Sequence, residues 1–165
     1  MTLLKYLYKQ KFSIPNRSTK SIECFEDFAF RVYNKNRHHS CLDLSNLNIS
    51  IQNHEVLNKI LLNNTRVNFS SIDLDFKKID NLFHPNLCEI VLNNCGLTNI
   101  SINYLLRRLQ STNITKLDLS SKQLDKKNKL TDTSELYDLI EISSTLAILE
   151  LADIGLTSTN CSDIF

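Results

Sequence analysis

His38, His39 and Cys41 form the one close group of metal-ligating residue types in this 165-residue chain. A zinc site needs four ligands that converge, commonly supplied as two spaced pairs. Adjacent histidines usually point apart, and no second pair follows at a zinc-site spacing, so a structural or surface role is expected and no metal. Nucleophiles fare no better. Serines are plentiful, but no G-x-S-x-G elbow presents one. The cysteines at 24, 41, 88, 95 and 161 are odd in number and lack a C-x-x-C pair, which fits reduced thiols in an intracellular protein. Cys24 falls on an expected helix and Cys95 in a small core slot, both packing positions. Only two glycines occur, and neither G-x-x-x-x-G-K nor G-x-G-x-x-G is present to cradle a phosphate. No catalytic residue, cofactor or small-molecule substrate is therefore expected.

A second kind of chemistry, complementarity to another macromolecule, is better represented. Glu89, Val91 and Asn93 occupy alternate positions of one short strand. Lys116, Asp118 and Ser120 do so on a second, and Ile148, Glu150 and Ala152 on a third. Alternate strand positions share a face. Stacked, the three sets give a mixed surface in which Asp118 and Glu150 form an acidic pair flanked by Val91 and Ile148. Such a surface suits a basic peptide of a partner protein. The competing reading is that these side chains are merely solvated.

What would stack them is an internal repeat. Leu87-Cys88-Glu89-Ile90-Val91-Leu92-Asn93-Asn94-Cys95-Gly96-Leu97 fills every slot of the frame L-x-x-L-x-L-x-x-[N/C]-x-L. The frame returns at Ile114, Leu117, Leu119 and Leu124, then at Leu146, Leu149, Leu151 and Leu156. Gly96 and Gly155 both fall at its tenth position. Between frames, Ile102, Leu105, Leu106 and Leu109 recur at helical spacing behind a capping Thr98 or Asn99. Leu136, Leu139 and Ile140 follow Thr133 and Ser134 in the same way. The steps from Ile90 to Leu117 and from Leu117 to Leu149 resemble the helix-backed class of leucine-rich repeat typified by ribonuclease inhibitor. Extra length in the second unit is assigned to Asp125–Asp132, as a contact loop or a solvated connector. The outward strand residues would then line a concave face.

The frame extends poorly towards the N-terminus. Val67-Asn68-Phe69 and Leu42-Asp43-Leu44 fit its centre, but the opening slots would be Asn64 and His39. Each unpaired polar group facing a core would cost about 1–3 kcal/mol. Another parsing has strands over Leu3–Tyr8 and Lys11–Ile14, a helix over Ile22–Asn34, a strand at Cys41–Leu44, a short apolar segment through Val56 and Leu61, and a strand over Arg66–Ser70. That order is the ubiquitin-like β-grasp. The expected architecture is α/β: a ubiquitin-like domain over 1–75, a linker or cap over 76–84 using Phe76, Ile79, Leu82 and Phe83, and about three leucine-rich repeats over 85–165, continuing in a longer protein. The alternative is a leucine-rich-repeat solenoid throughout, with 1–75 as degenerate first repeats.

A β-grasp joined to helix-backed repeats resembles the C-terminal region of Tonsoku-like proteins. The motifs are Phe12-x-Ile14-Pro15, Arg31-x-Tyr33, Leu105-Leu106-Arg107-Arg108-Leu109, Glu135-Leu136 and Leu146-Ala147-x-Leu149-x-Leu151. The resemblance implies a non-catalytic scaffold of replication-fork repair and homologous recombination, acting in the nucleus on chromatin through protein partners. A stand-alone repeat regulator or effector is the alternative. Without Gly-Gly to end a tail, a ubiquitin-like part would be an adaptor, not a modifier. A net charge of +1 gives no global field for nucleic acid or membrane. Arg107 and Arg108 with Lys126, Lys127 and Lys129 would make at most a weak phosphate edge, with no aromatics interleaved for base stacking. No apolar run reaches the ~18 residues of a membrane span.

Overall fold

The computed structural model describes residues 41–47, 54–62, 64–73, 75, 79–122 and 127–161. The expected strands over 3–14, the helix over 22–34 and the motifs Phe12-x-Ile14-Pro15 and Arg31-x-Tyr33 lie outside the described residues.

Five short strands, β1 (Leu42–Asp43), β2 (Arg66–Asn68), β3 (Glu89–Val91), β4 (Lys116–Asp118) and β5 (Ile148–Glu150), make one parallel sheet in chain order. Leu42, Val67, Ile90, Leu117 and Leu149 lie in register across it. Parallel neighbours need a crossover rather than a tight turn. The crossovers carry α1 (His54–Leu61), a 3-10 turn (Asp80–Leu82), α2 (Asn99–Leu109) and α3 (Ser134–Ile142); α4 (Ser158–Cys161) follows β5. The architecture is α/β.

The same hydrogen bonds recur from strand to strand. Two residues beyond each centre, the N–H groups of Leu44, Phe69, Leu92 and Leu119 reach the carbonyls of Asn68, Val91, Asp118 and Glu150 at 2.8–2.9 Å. Ahead of the strands, Thr65 O accepts from Cys88 and Glu89, Cys88 O from Thr115 and Lys116, and Thr115 O from Ala147 and Ile148. Four residues after the centre the chain turns through positive φ at Asn46 (58°), Ser71 (62°), Asn94 (55°) and Asp153 (58°). Asn and Asp tolerate this left-handed region better than most residues. Gly96 (66°) and Gly155 (85°) follow two residues later, which is why the frame holds glycine there.

One core runs beneath all five strands. Leu42, Val67, Ile90 and Leu117 share it with Leu57, Ile60 and Leu61 of α1, Ile102, Leu105, Leu106 and Leu109 of α2, and Leu136 and Leu139 of α3. Ile102, Leu105, Leu106 and Leu109 are all fully buried, as the spacing predicts. Thr98 caps α2, its Oγ1 accepting from Ser101 N at 3.3 Å. At α3 the carboxylate of Asp132 accepts from Ser134 N (3.1 Å) and Ser134 Oγ (2.8 Å). Those two bonds hold the Asp132 pKa below the usual carboxylate value.

Three expectations change. The strands at 42–43 and 66–68, which a separate β-grasp would own, are hydrogen-bonded into the sheet of β3–β5. Ile79, Leu82 and Phe83 do not cap an open end of the repeats, since β2 and β1 continue the sheet beyond β3; they lie in the same core as Leu57 and Leu87, and Phe76 lies outside the described residues. Asn64 does not face the core unpaired: its Nδ2 donates to Ile60 O at 2.7 Å, and its carbonyl lies 3.1 Å from His84 Nε2. The penalty is thereby removed at Asn64; His39, the other opening slot, lies outside the described residues.

The frame that opens at Ile114 also shifts. Leu124 lies outside the described residues, and the slot assigned to it is filled by Leu130, fully buried, whose N–H bonds Ile154 O. Asn128 takes the [N/C] slot, so the inserted residues are 122–127 and the stretch over 125–132 is only in part a solvated connector. Asn128 itself is 0% exposed.

Candidate functional site

Because strand side chains alternate, turning the central residues to the core, four of them buried and Leu149 partly so, puts their neighbours on the opposite face of the sheet. Register then sets two rows across that outer face. One runs Arg66, Glu89, Lys116, Ile148; the other runs Asp43, Asn68, Val91, Asp118, Glu150.

The expected residues do share this face, but not on equal terms. Ile148 is 47% exposed and Glu150, Lys116 and Glu89 are partly exposed. Val91 and Asn93 are half-buried; Asn93 Oδ1 has no hydrogen-bond partner. Asp118 and Ser120 are buried, at 5% and 2% exposure. The carboxylate of Asp118 turns back on its own chain and accepts from Ser120 N at 3.0 Å. Asp43 to Ser45 N and Asn68 to Ser70 N, each 2.9 Å, repeat that turn at the equivalent positions of β1 and β2. Asp118 is thus a turn former, and no open acidic pair with Glu150 exists.

Glu150 is engaged as well. Lys116 Nζ donates to Glu150 Oε1 at 2.7 Å, and Arg66 Nε donates to Glu89 Oε2 at 2.7 Å. The bond to Glu150 holds the Lys116 amine further above its ordinary pKa. Each carboxylate is tied to a cation on the preceding strand, so the face is a compensated lattice of charge with Ile148 as its apolar end. Arg66 was missing from the sequence-based set. Its position just before Val67 would have revealed it once the frame was carried back to Asn64. Cys41, beside Arg66, is half-buried; burial pushes its thiol pKa up against the opposing pull of the guanidinium. A raised thiol pKa disfavours the thiolate that a nucleophile requires.

An Asp118→Asn substitution should keep the turn, as Asn68 does in β2, and change the denaturation midpoint little. Asp118→Lys should cost about 1–3 kcal/mol, since it strips the Ser120 N–H of its acceptor and forces a charge into a buried position. Urea denaturation of both variants checks this; equal midpoints would reassign Asp118 to the surface.

The two arginines of the expected basic edge are each engaged within the fold. Arg107 Nε donates to Glu135 Oε1 at 3.1 Å. Arg108 lies over the Phe83 ring, 5.2 Å from its centroid, and Phe83 meets Tyr104 edge-on at 6.4 Å. Lys126 lies outside the described residues. Cys95 is buried, its thiol 3.2 Å from Phe69 O, in the packing role its slot implies. His38, His39 and Cys24 lie outside the described residues; among the described ones no group of three His, Cys, Asp or Glu could hold a metal ion. No described helix is long and apolar enough to cross a membrane. No family model matches the chain, and no curated protein matches it.

Proposed function

We propose that this chain is a non-catalytic protein-binding module, a leucine-rich-repeat solenoid across its described residues, which grips a partner on the outer face of its sheet. The observation that carries this reading is the in-register row Arg66, Glu89, Lys116, Ile148, presented on a scaffold whose other face packs on the core. Side chains held rigidly by short strands can meet a partner with little further loss of conformational entropy. The two ion pairs favour a partner that brings both charge signs and an apolar contact for Ile148, and not a purely basic peptide.

A role in recombination repair rests on the sequence motifs alone. The pairing of β1 with β2 and of β2 with β3 supports the alternative, a repeat regulator or effector, because two strands of the expected β-grasp then belong to the common sheet.

The test is affinity capture with identification of the bound protein, using the native chain, Glu89→Lys with Glu150→Lys, and Ile100→Ser as a control on the helix side. Exposed ion pairs contribute only about 0–1 kcal/mol to stability, so the double variant should remain folded by circular dichroism. It should lose the partner that the control retains. Equal capture by all three would overturn the sheet-face assignment.

A further inference from the structure

We propose that the flank of α3 turned away from α2, centred on Tyr137 and Ile140, docks a basic amphipathic helix of a partner protein. This does not rest on the sheet-face reading, since it concerns the opposite side of the molecule.

Four of the six exposed large apolar side chains among the described residues, Tyr137, Ile140, Ile142 and Ile148, belong to the last crossover and strand. In α2 the apolar stripe is completely covered, whereas in α3 only Leu136 and Leu139 are; Tyr137 stays 45% and Ile140 37% exposed. The two sides of α3 can be told apart. Glu135 marks the side facing α2, through Arg107, and Asp132 lies there too, through Asn103. At about 100° per residue, Tyr137 lies roughly 200° around the helix from Glu135, with Ile140 one turn along. The open flank is the surface that would meet a further helix.

Charge says which kind of helix. Residues 130–165 contain seven Asp and Glu and no Lys, Arg or His, while residues 1–129 carry a net +8. On α3 itself Asp138 and Glu141 are exposed, and at about 100° per residue both lie along one side of the Tyr137–Ile140 ridge, Glu141 the nearer. At the existing seam, a cation on α2 satisfies an acid on α3. The open flank offers acids without cations of its own, so its complement must supply them. A second copy placed two-fold across this flank would bring two segments of like charge together, which is destabilising. A helix with apolar anchors at spacings of three and four, flanked by lysines, fits the ridge and the acids together.

Three labelled peptides of about five helical turns test the assignment by fluorescence anisotropy at near-physiological salt. One carries leucines on a single helical face and lysines elsewhere; one has the same composition scrambled; one has glutamates for the lysines. The amphipathic lysine peptide should bind, and the other two should bind at least about tenfold more weakly. Tyr137→Ser with Ile140→Ser, and separately Asp138→Lys with Glu141→Lys, should each weaken binding about tenfold, while Ile100→Ser leaves it unchanged. Both pairs are exposed, so the fold is retained. Equal binding of the scrambled peptide, or binding indifferent to Tyr137 and Ile140, would reduce the effect to bulk charge and overturn the proposal. So would sedimentation showing a dimer that the Tyr137→Ser, Ile140→Ser variant abolishes, which would assign the flank to a second copy. Loss of peptide binding with partner capture intact would leave the sheet-face reading standing.

Discussion

Asn128→Ala is expected to lower stability by about 3–6 kcal/mol, a large part of the about 5–15 kcal/mol that holds a domain folded. Asn128 is 0% exposed, and its amide satisfies three backbone groups at once. Nδ2 donates to Leu92 O at 2.9 Å and Leu119 O at 2.7 Å, and Oδ1 accepts from Leu97 N at 3.0 Å. Two of these belong to the unit of β3 and one to that of β4, so the side chain stitches neighbouring units together. Its own N–H is held by Ser121 Oγ at 2.8 Å, and Lys122 N is held by Asn94 Oδ1 at 2.6 Å. The inserted residues are therefore pinned at both ends. Alanine would leave the three groups without partners in a space closed to water. Asn128→Asp should be worse still at neutral pH, because a carboxylate oxygen would face two carbonyl oxygens. Acidification should partly rescue that variant, since a protonated carboxyl can donate one of the lost bonds. Urea midpoints of the two variants, with the Asp variant followed against pH, check the argument. A loss under about 1 kcal/mol for Asn128→Ala would mean that the units are held together elsewhere.

Much of the fold was legible because its driving pattern is local. Every apolar slot from Leu87 to Leu97 is buried or nearly so, and the α2 stripe reads directly from its spacing. The N-terminal extension was harder for a physical reason. The opening slot holds Asn64, and only the structure shows its amide satisfied by the end of α1. The insertion misled for a related reason. Leu124 sits at the numerically correct offset, but the chain keeps Asn128 and Leu130, because a buried amide that bonds two carbonyls outweighs the continuity of an offset. The spacing put the outward strand residues on one face of the sheet, as the register does, but did not show how they pair there. Leu42-Asp43-Leu44-Ser45 and Leu117-Asp118-Leu119-Ser120 are the same tetrapeptide, and an Asp two residues before Ser is a turn signal. Taken as such, it would have withdrawn Asp118 from the binding surface. The pairings Arg66–Glu89 and Lys116–Glu150 depend on register, which fixes neighbours across strands that are far apart in sequence.

Leu117→Ala should cost about 2–5 kcal/mol, whereas Leu149→Ala should cost about half of that or less. Both leucines occupy the central slot of a strand, one step apart in register. Leu117 is flanked by β3 and β5 and is fully buried, while among the described residues Leu149 has a neighbouring strand on one side only and is half-buried. In a stack where each unit contacts only the next, stability is a sum of nearest-neighbour terms. A central substitution damages two interfaces and a terminal one damages a single interface. The same reasoning orders the dynamics. Amides bonded between β3 and β4 should exchange only by global unfolding, and those between β4 and β5 by local opening of the last unit. Hydrogen exchange on the native chain would separate the two classes, and the paired alanine variants would calibrate them. Equal costs at Leu117 and Leu149 would mean that the outer edge of β5 is covered in solution. The exposed Ile148 and the Tyr137 flank would then have to be sought inside a contact, and the protein would be stable only in company.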